Sequence, residues 1–149
     1  MKKRKIALCG SMKVKDQIIA LGEEITKRDF EALLPEECIA GKPKNEASRA
    51  HFKRIIEQAD AILVVNATAH DTENYIGPNS FAEIAIAFYY NKPVFLWHDI
   101  YEPYRDELDG WNVTPLKGNL NNLVLEKWKL KQSTPTLSSL QFLLAANKK

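Results

Sequence analysis

The segment Tyr75-Ile76-Gly77-Pro78-Asn79-Ser80-Phe81-Ala82-Glu83-Ile84 holds the residue types best suited to chemistry. A glycine-proline turn leads into a helix that Asn79 or Ser80 can cap, which puts Glu83 in the first turn of an otherwise apolar helix. A carboxylate among Phe81, Ile84 and Ile86 must be solvated at an edge, paired or functional, because burying it alone is unfavourable. A helix start favours the anion and keeps it ready as a nucleophile or an electrostatic partner. A capping box, with Glu83 answering Ser80 three residues earlier, is the structural alternative.

A second segment, Gly10-Ser11-Met12-Lys13, follows an apolar run and precedes a helical pattern. Glycine permits close backbone approach, and free N–H groups at a helix start suit an anionic group such as a phosphate. The segment is neither GxGxxG nor GxxxxGK[ST], so it argues against dinucleotide and P-loop sites. Two His-Asp pairs, His70-Asp71 and His98-Asp99, lack metal-ligand spacing, and no CxxC pair is present, so no metal is expected. Cys9, in an apolar run, reads as a small buried hydrophobe.

These segments must be positioned by a scaffold, and the hydrophobic pattern supplies one. The runs 5–9, 61–65 and 93–97 are apolar without alternation, as strands buried on both faces are, and 30–34 is a weaker strand. Between them, 16–28 and 46–58 carry one apolar stripe each, and 80–90 is apolar nearly all round. Alternating strands and helices predict an α/β fold, flavodoxin/Rossmann-like, with three layers around a central parallel sheet. Ligands in such sheets bind beyond the carboxyl ends of the strands, where the loops 10–12, 66–80 and 97–99 would collect. Asn66, Tyr75 and Met12 join the candidate ligand contacts on that ground, with Tyr75, Trp97 and Tyr101 available as an aromatic wall. Beyond Trp97 the pattern predicts a short helix over 101–109, an edge strand over 111–116 and a helix over 119–128. Residues 1–132 form the expected domain, and 133–149 an amphipathic helical extension whose apolar stripe would pack on that domain or on another subunit.

Composition bounds the function class. The chain has 149 residues, 45% hydrophobic and 27% charged, with 21 basic and 19 acidic side chains for a net charge of +2. That balance excludes wholesale disorder and gives no footprint for nucleic acid or an anionic membrane. Two cysteines cannot build a disulfide framework, and no apolar stretch reaches signal-peptide or membrane-span length. A soluble cytoplasmic protein is expected.

Three stretches together carry a resemblance. Ala59-Asp60-Ala61-Ile62-Leu63-Val64-Val65-Asn66, the segment from Tyr75 to Ala87, and Asn91-Lys92-Pro93-Val94-Phe95-Leu96 are similar, in order and spacing, to the nucleoside 2-deoxyribosyltransferase-like family, and Ile6 to Ser11 resembles its first strand and ligand loop. The resemblance spans about 5–97, and more loosely 101–120. It implies cofactor-free cleavage or transfer at the N-glycosidic bond of a nucleoside or nucleoside 5′-monophosphate, in a homodimer or higher homo-oligomer. It places the nucleophilic glutamate at Glu83, sugar or 5′-end contacts at Gly10 and Ser11, and phosphate contacts at Gly77, Asn79 and Ser80. His51 falls near a supporting aspartate of relatives and is a candidate to assist the leaving base. Ala7 stands where relatives often carry tyrosine. A second expectation follows from these departures, a nucleotide-binding or sensor domain with little or no catalysis.

Overall fold

The computed structural model describes residues 2–39 and 41–126. Five strands, β1 (Arg4–Cys9), β2 (Phe30–Leu33), β3 (Ala61–Val64), β4 (Val94–Leu96) and β5 (Thr114–Pro115), form one sheet in the order β2-β1-β3-β4-β5. Every pairing is parallel. The helices are α1 (Lys15–Lys27), α2 (Glu36–Ile39), α3 (Lys44–Glu57), α4 (Pro78–Tyr89) and α5 (Arg105–Gly110). This is an α/β fold of the flavodoxin-like, doubly wound kind, with its switch point between β1 and β3.

The uninterrupted apolar runs explain the three layers. In β1, Ile6 and Leu8 pack with α1 residues Ile18, Leu21 and Ile25 on one face. Ala7 and Cys9 face the other way, into a core with Ile55 of α3, Ile84 and Ala87 of α4 and Leu108 of α5. All four β1 residues are fully buried. Alternate side chains of one strand thus feed two cores, which is why β1 shows no polar alternation.

The structure departs from the sequence expectations at several element ends. A short α2, whose Glu36-Glu37-Cys38 carries no helical stripe, precedes α3. The α4 helix begins at Pro78 rather than Ser80, because proline's fixed φ suits the first helical position and Gly77 serves as an N-cap with no side-chain bond. The 111–116 strand shortens to Thr114–Pro115 at the sheet edge, where proline's missing N–H is harmless. The expected 119–128 helix opens instead as a 3₁₀ turn, Leu120–Asn122, capped by the Asn119 side chain; Leu125 and Glu126 are helical, and 127–128 lie outside the described residues. The expected extension over 133–149 lies outside the described residues. Among those described, no helix is long and apolar enough to cross a membrane.

Candidate functional site

A cavity of about 450 Å³ opens beyond the carboxyl end of β1, within the usual range for small-molecule sites, about 300–1,000 Å³. Its walls are the Gly10–Lys13 loop, the start of α2, one face of α3 and the turn into α4. Gly10, Ser11, Met12, His51, Tyr75, Gly77, Asn79, Ser80 and Glu83 all line it. These residues, far apart in the chain, share one concave surface because β1 neighbours β3 and the helices that follow β2 and β3 pack together.

Asn66 is elsewhere. It is fully buried at the end of β3, where its Nδ2 donates to the Asp99 carbonyl at 2.6 Å and its Oδ1 accepts from the His98 N–H at 2.8 Å. The side chain ties two strand ends together and does not reach the cavity. The 97–99 loop is absent from the cavity wall too, and Trp97 packs against the α1-side core. Tyr101 meets Tyr75 edge-on, with ring centroids 5.8 Å apart, and supports the wall from behind.

Local backbone requirements shape the rim. A Cβ on Gly10 would stand 3.0 Å from Ile18 Cδ1 and 3.2 Å from the Val65 carbonyl, so this turn accepts only glycine without a shift. Ser11 does not point freely at a ligand, since its Oγ accepts from the Lys13 N–H at 3.2 Å and caps the 3₁₀ turn Met12–Val14. On the opposite side, His70 and Asp71 both have positive φ and span the Ala69–Thr72 bridge. That tight turn sets His70 edge-on to Tyr75 at 5.0 Å on the cavity wall.

Glu83 is the floor. It lies in the second turn of α4, 3% exposed, so the capping-box geometry with Ser80 does not form. Its Oε1 accepts from Asn79 Nδ2 at 2.6 Å, while Oε2 is buried with no hydrogen-bond partner among the described residues. The closest cationic candidate is His51, whose Nε2 is 3.5 Å from Oε2. Burial pushes the carboxyl pKa from 4.5 up to about 7, with the Cys9 thiol, Lys44 and Asn79 pulling it back and Glu37 adding to the rise. Burial also lowers the His51 pKa below 6.5, so the ring is neutral at pH 7.

His51 is committed beneath the carboxyl. Its Nε2 donates to the Leu8 carbonyl at 2.9 Å and sits 3.8 Å from Cys9 Sγ, while Nδ1 is buried without a partner. A neutral ring bonded to the main chain of β1 is poorly placed to protonate a leaving base. Cys9, His51 and Glu83 offer three metal-binding atoms within 4.8 Å of one another. Without an ion, burial holds the Cys9 thiol well above its usual pKa, and the His51 nitrogen facing the other two donates to the Leu8 carbonyl.

The far wall carries charges that single-segment reading passed over. Glu36 is held by Arg54 and by Lys42 Nζ at 3.5 Å, and Glu37 faces Lys44 Nζ at 3.5 Å. Lys44, Ala47, Ser48 and His51 all line the cavity from α3. Their i, i+3, i+4, i+7 spacing is a legible helix face, and His51 was the one member with an evident chemical role. Nothing in the spacing of Glu36 and Glu37 signals their position.

Compared with models of known protein families and with curated proteins, the chain matches none.

Proposed function

We propose that the protein cleaves or transfers the N-glycosidic bond of a nucleoside or nucleoside 5′-monophosphate, with the Glu83 carboxylate as nucleophile. The observation that carries this reading is a buried carboxyl on the wall of a nucleoside-sized cavity, with one oxygen held by Asn79 and the other enclosed near His51 and without a hydrogen-bond partner among the described residues. A carboxylate with an uncommitted oxygen has the charge and lone pair that an oxocarbenium-like transition state requires. The resemblance described above, which puts a nucleophilic glutamate at this position, supports the same assignment.

In the reaction, a Glu83 oxygen bonds the anomeric carbon as the carbon–nitrogen bond breaks. The base leaves with that electron pair and takes a proton from solvent. Water, or the nitrogen of a second base, then attacks the same carbon and returns the carboxylate. The Met12–Val14 turn and the start of α4 both border the cavity, and the positive end of the α4 dipole there favours an anionic 5′ end. His70 and Tyr75 supply aromatic surface on the cavity wall. No cofactor enters this scheme.

The test is incubation with a panel of nucleosides and 5′-monophosphates, following free base. Release that disappears in Glu83→Gln supports the reading, as does intact-mass detection of a glycosylated Glu83 after acid quench. Thermal stabilisation by a nucleotide without base release would replace it with the binding or sensor reading, which the proton held by Glu83 near pH 7 favours.

A further inference from the structure

The Asn79 side chain is committed at both ends. Its Nδ2 donates to Glu83 Oε1 at 2.6 Å, one helical turn along α4, and its Oδ1 accepts from Ser48 Oγ at 3.0 Å, across on α3. An amide has two unlike edges, and only the donor edge stabilises a carboxylate. With Oδ1 toward Glu83, an ionised carboxyl would meet a second acceptor. The ionised carboxyl, which can only accept, selects the Nδ2 edge, and the Ser48 hydroxyl, free to donate or accept, anchors that orientation from the other side by donating to Oδ1.

We propose that Ser48 and Asn79 form a two-residue positioning relay, in which the Ser48 hydroxyl on α3 occupies Oδ1 and anchors the Asn79 amide with its donor edge on Glu83, and that amide favours the ionised, attacking form of the carboxyl. Neither residue needs to touch the reacting atoms. The relay makes the nucleophile depend on the packing of α3 against α4, two helices that are separate in the chain and meet at the cavity wall. Its catalytic consequence rests on the reading of Glu83 as nucleophile, whereas its effect on the carboxyl proton does not.

Other charged and titratable groups facing Glu83 are Cys9 on β1, His51 and Lys44 on α3, and Glu37 on α2. None of them bonds the Asn79 amide, so changes at Ser48 and Asn79 leave their contacts in place. Losing the hydrogen bond from Asn79 to an ionised group is expected to raise the Glu83 midpoint by about one pH unit.

The experiment is a carbon-13 NMR titration of the glutamate carboxyls, with Glu83 assigned by its loss in Glu83→Gln. Asn79→Ala is expected to move the Glu83 midpoint up, and Asn79→Asp to move it further. Ser48→Ala moves it in the same direction by a smaller amount, and Ser48→Thr, which keeps the hydroxyl, restores it. Because Ser48 acts through Asn79, the Ser48→Ala/Asn79→Ala pair matches Asn79→Ala alone. Ser48→Ala with an unchanged midpoint, or a double variant whose shift is the sum of the two, overturns the relay. Failure of the glycosidase reading looks different: no variant or parent releases base, while the titration pattern holds. Where base is released, the Asn79→Ala deficit is expected in kcat, about tenfold at pH 6, and to shrink toward pH 8.5 with KM little changed.

Discussion

His51 Nε2 lies 3.5 Å from Glu83 Oε2, with both side chains buried. Burial raises the pKa of the acid and lowers that of the base, so both groups tend toward their neutral forms at neutral pH. Near pH 7 the pair is therefore not a strong ion pair, the ring being neutral and the carboxyl close to its midpoint. Its energetic effect is a dependence of stability on pH.

The Glu83 carboxyl binds its proton more tightly folded, at about 7, than unfolded, at 4.5. Between those values the native state holds more protons, so stability is fully present below about pH 4.5 and is lost as pH rises through about 7. Glu83→Gln removes that loss. In urea unfolding it is expected to be more stable than the parent at pH 8, by up to about 3 kcal/mol, with no difference of this kind at pH 4.5. A Glu83→Gln variant with no gain over the parent at pH 8 relative to pH 4.5 would contradict the burial of this carboxyl.

His51 contributes the opposite slope. Its folded pKa is depressed below 6.5, so the unfolded state gains protons first as pH falls, and stability declines below about pH 6.5. Because Glu83 titrates over an overlapping range, the comparison belongs in a Glu83→Gln background. There, adding His51→Asn is expected to flatten the acid side of the stability curve, at the expense of the bond to the Leu8 carbonyl. An acid limb that survives the second substitution would assign it to other groups.

Base release requires ionised Glu83. Activity is thus expected to rise with pH through about 7 and to level off above it, with kcat following the same carboxyl. Glu83→Ala and Glu83→Gln are both expected to lower it by a thousandfold or more, about 4 kcal/mol of transition-state stabilisation. Activity that falls across the same interval would place the essential group elsewhere.

Asn66 was a candidate ligand contact by its place after β3, and the structure makes it a strut. Asn66→Ala leaves the His98 N–H and the Asp99 carbonyl without their buried partner. The expected loss is about 2–4 kcal/mol of stability, read by thermal unfolding, with nucleotide affinity nearly unchanged at temperatures where the variant is folded. A stable Asn66→Ala variant with selectively lost affinity would return the residue to the site.

Gly10 is constrained by contact. Gly10→Ala brings a methyl against Ile18 Cδ1 and the Val65 carbonyl, and the carbonyl cannot move without disturbing the end of β3. A destabilisation of about 1–3 kcal/mol is expected, together with weaker nucleotide binding, because the Gly10–Lys13 loop forms one cavity wall. Calorimetry on the folded variant separates the two effects.

The amino-acid sequence by itself determined the architecture from β1 to β4. The runs Ile6–Cys9 and Ala61–Val65 are apolar without alternation, α1 and α3 carry helical stripes, and α4 is apolar nearly all round. Burial on one face or two writes those patterns locally, so they need no knowledge of what the element packs against. The same local logic exposed Glu83, a carboxylate out of place in an apolar helix. Only the tertiary structure decided what each polar side chain does. Asn79 turned from an expected cap or phosphate contact to a donor to Glu83, Asn66 from a ligand contact to a link between strand ends, and Ser48 from an unremarked helix residue to the partner of Asn79. Hydrogen bonds act over about 3 Å and depend on direction. Their partners are therefore chosen by how α3, α4 and the sheet meet, which is a property of the packed chain and leaves no period in the sequence.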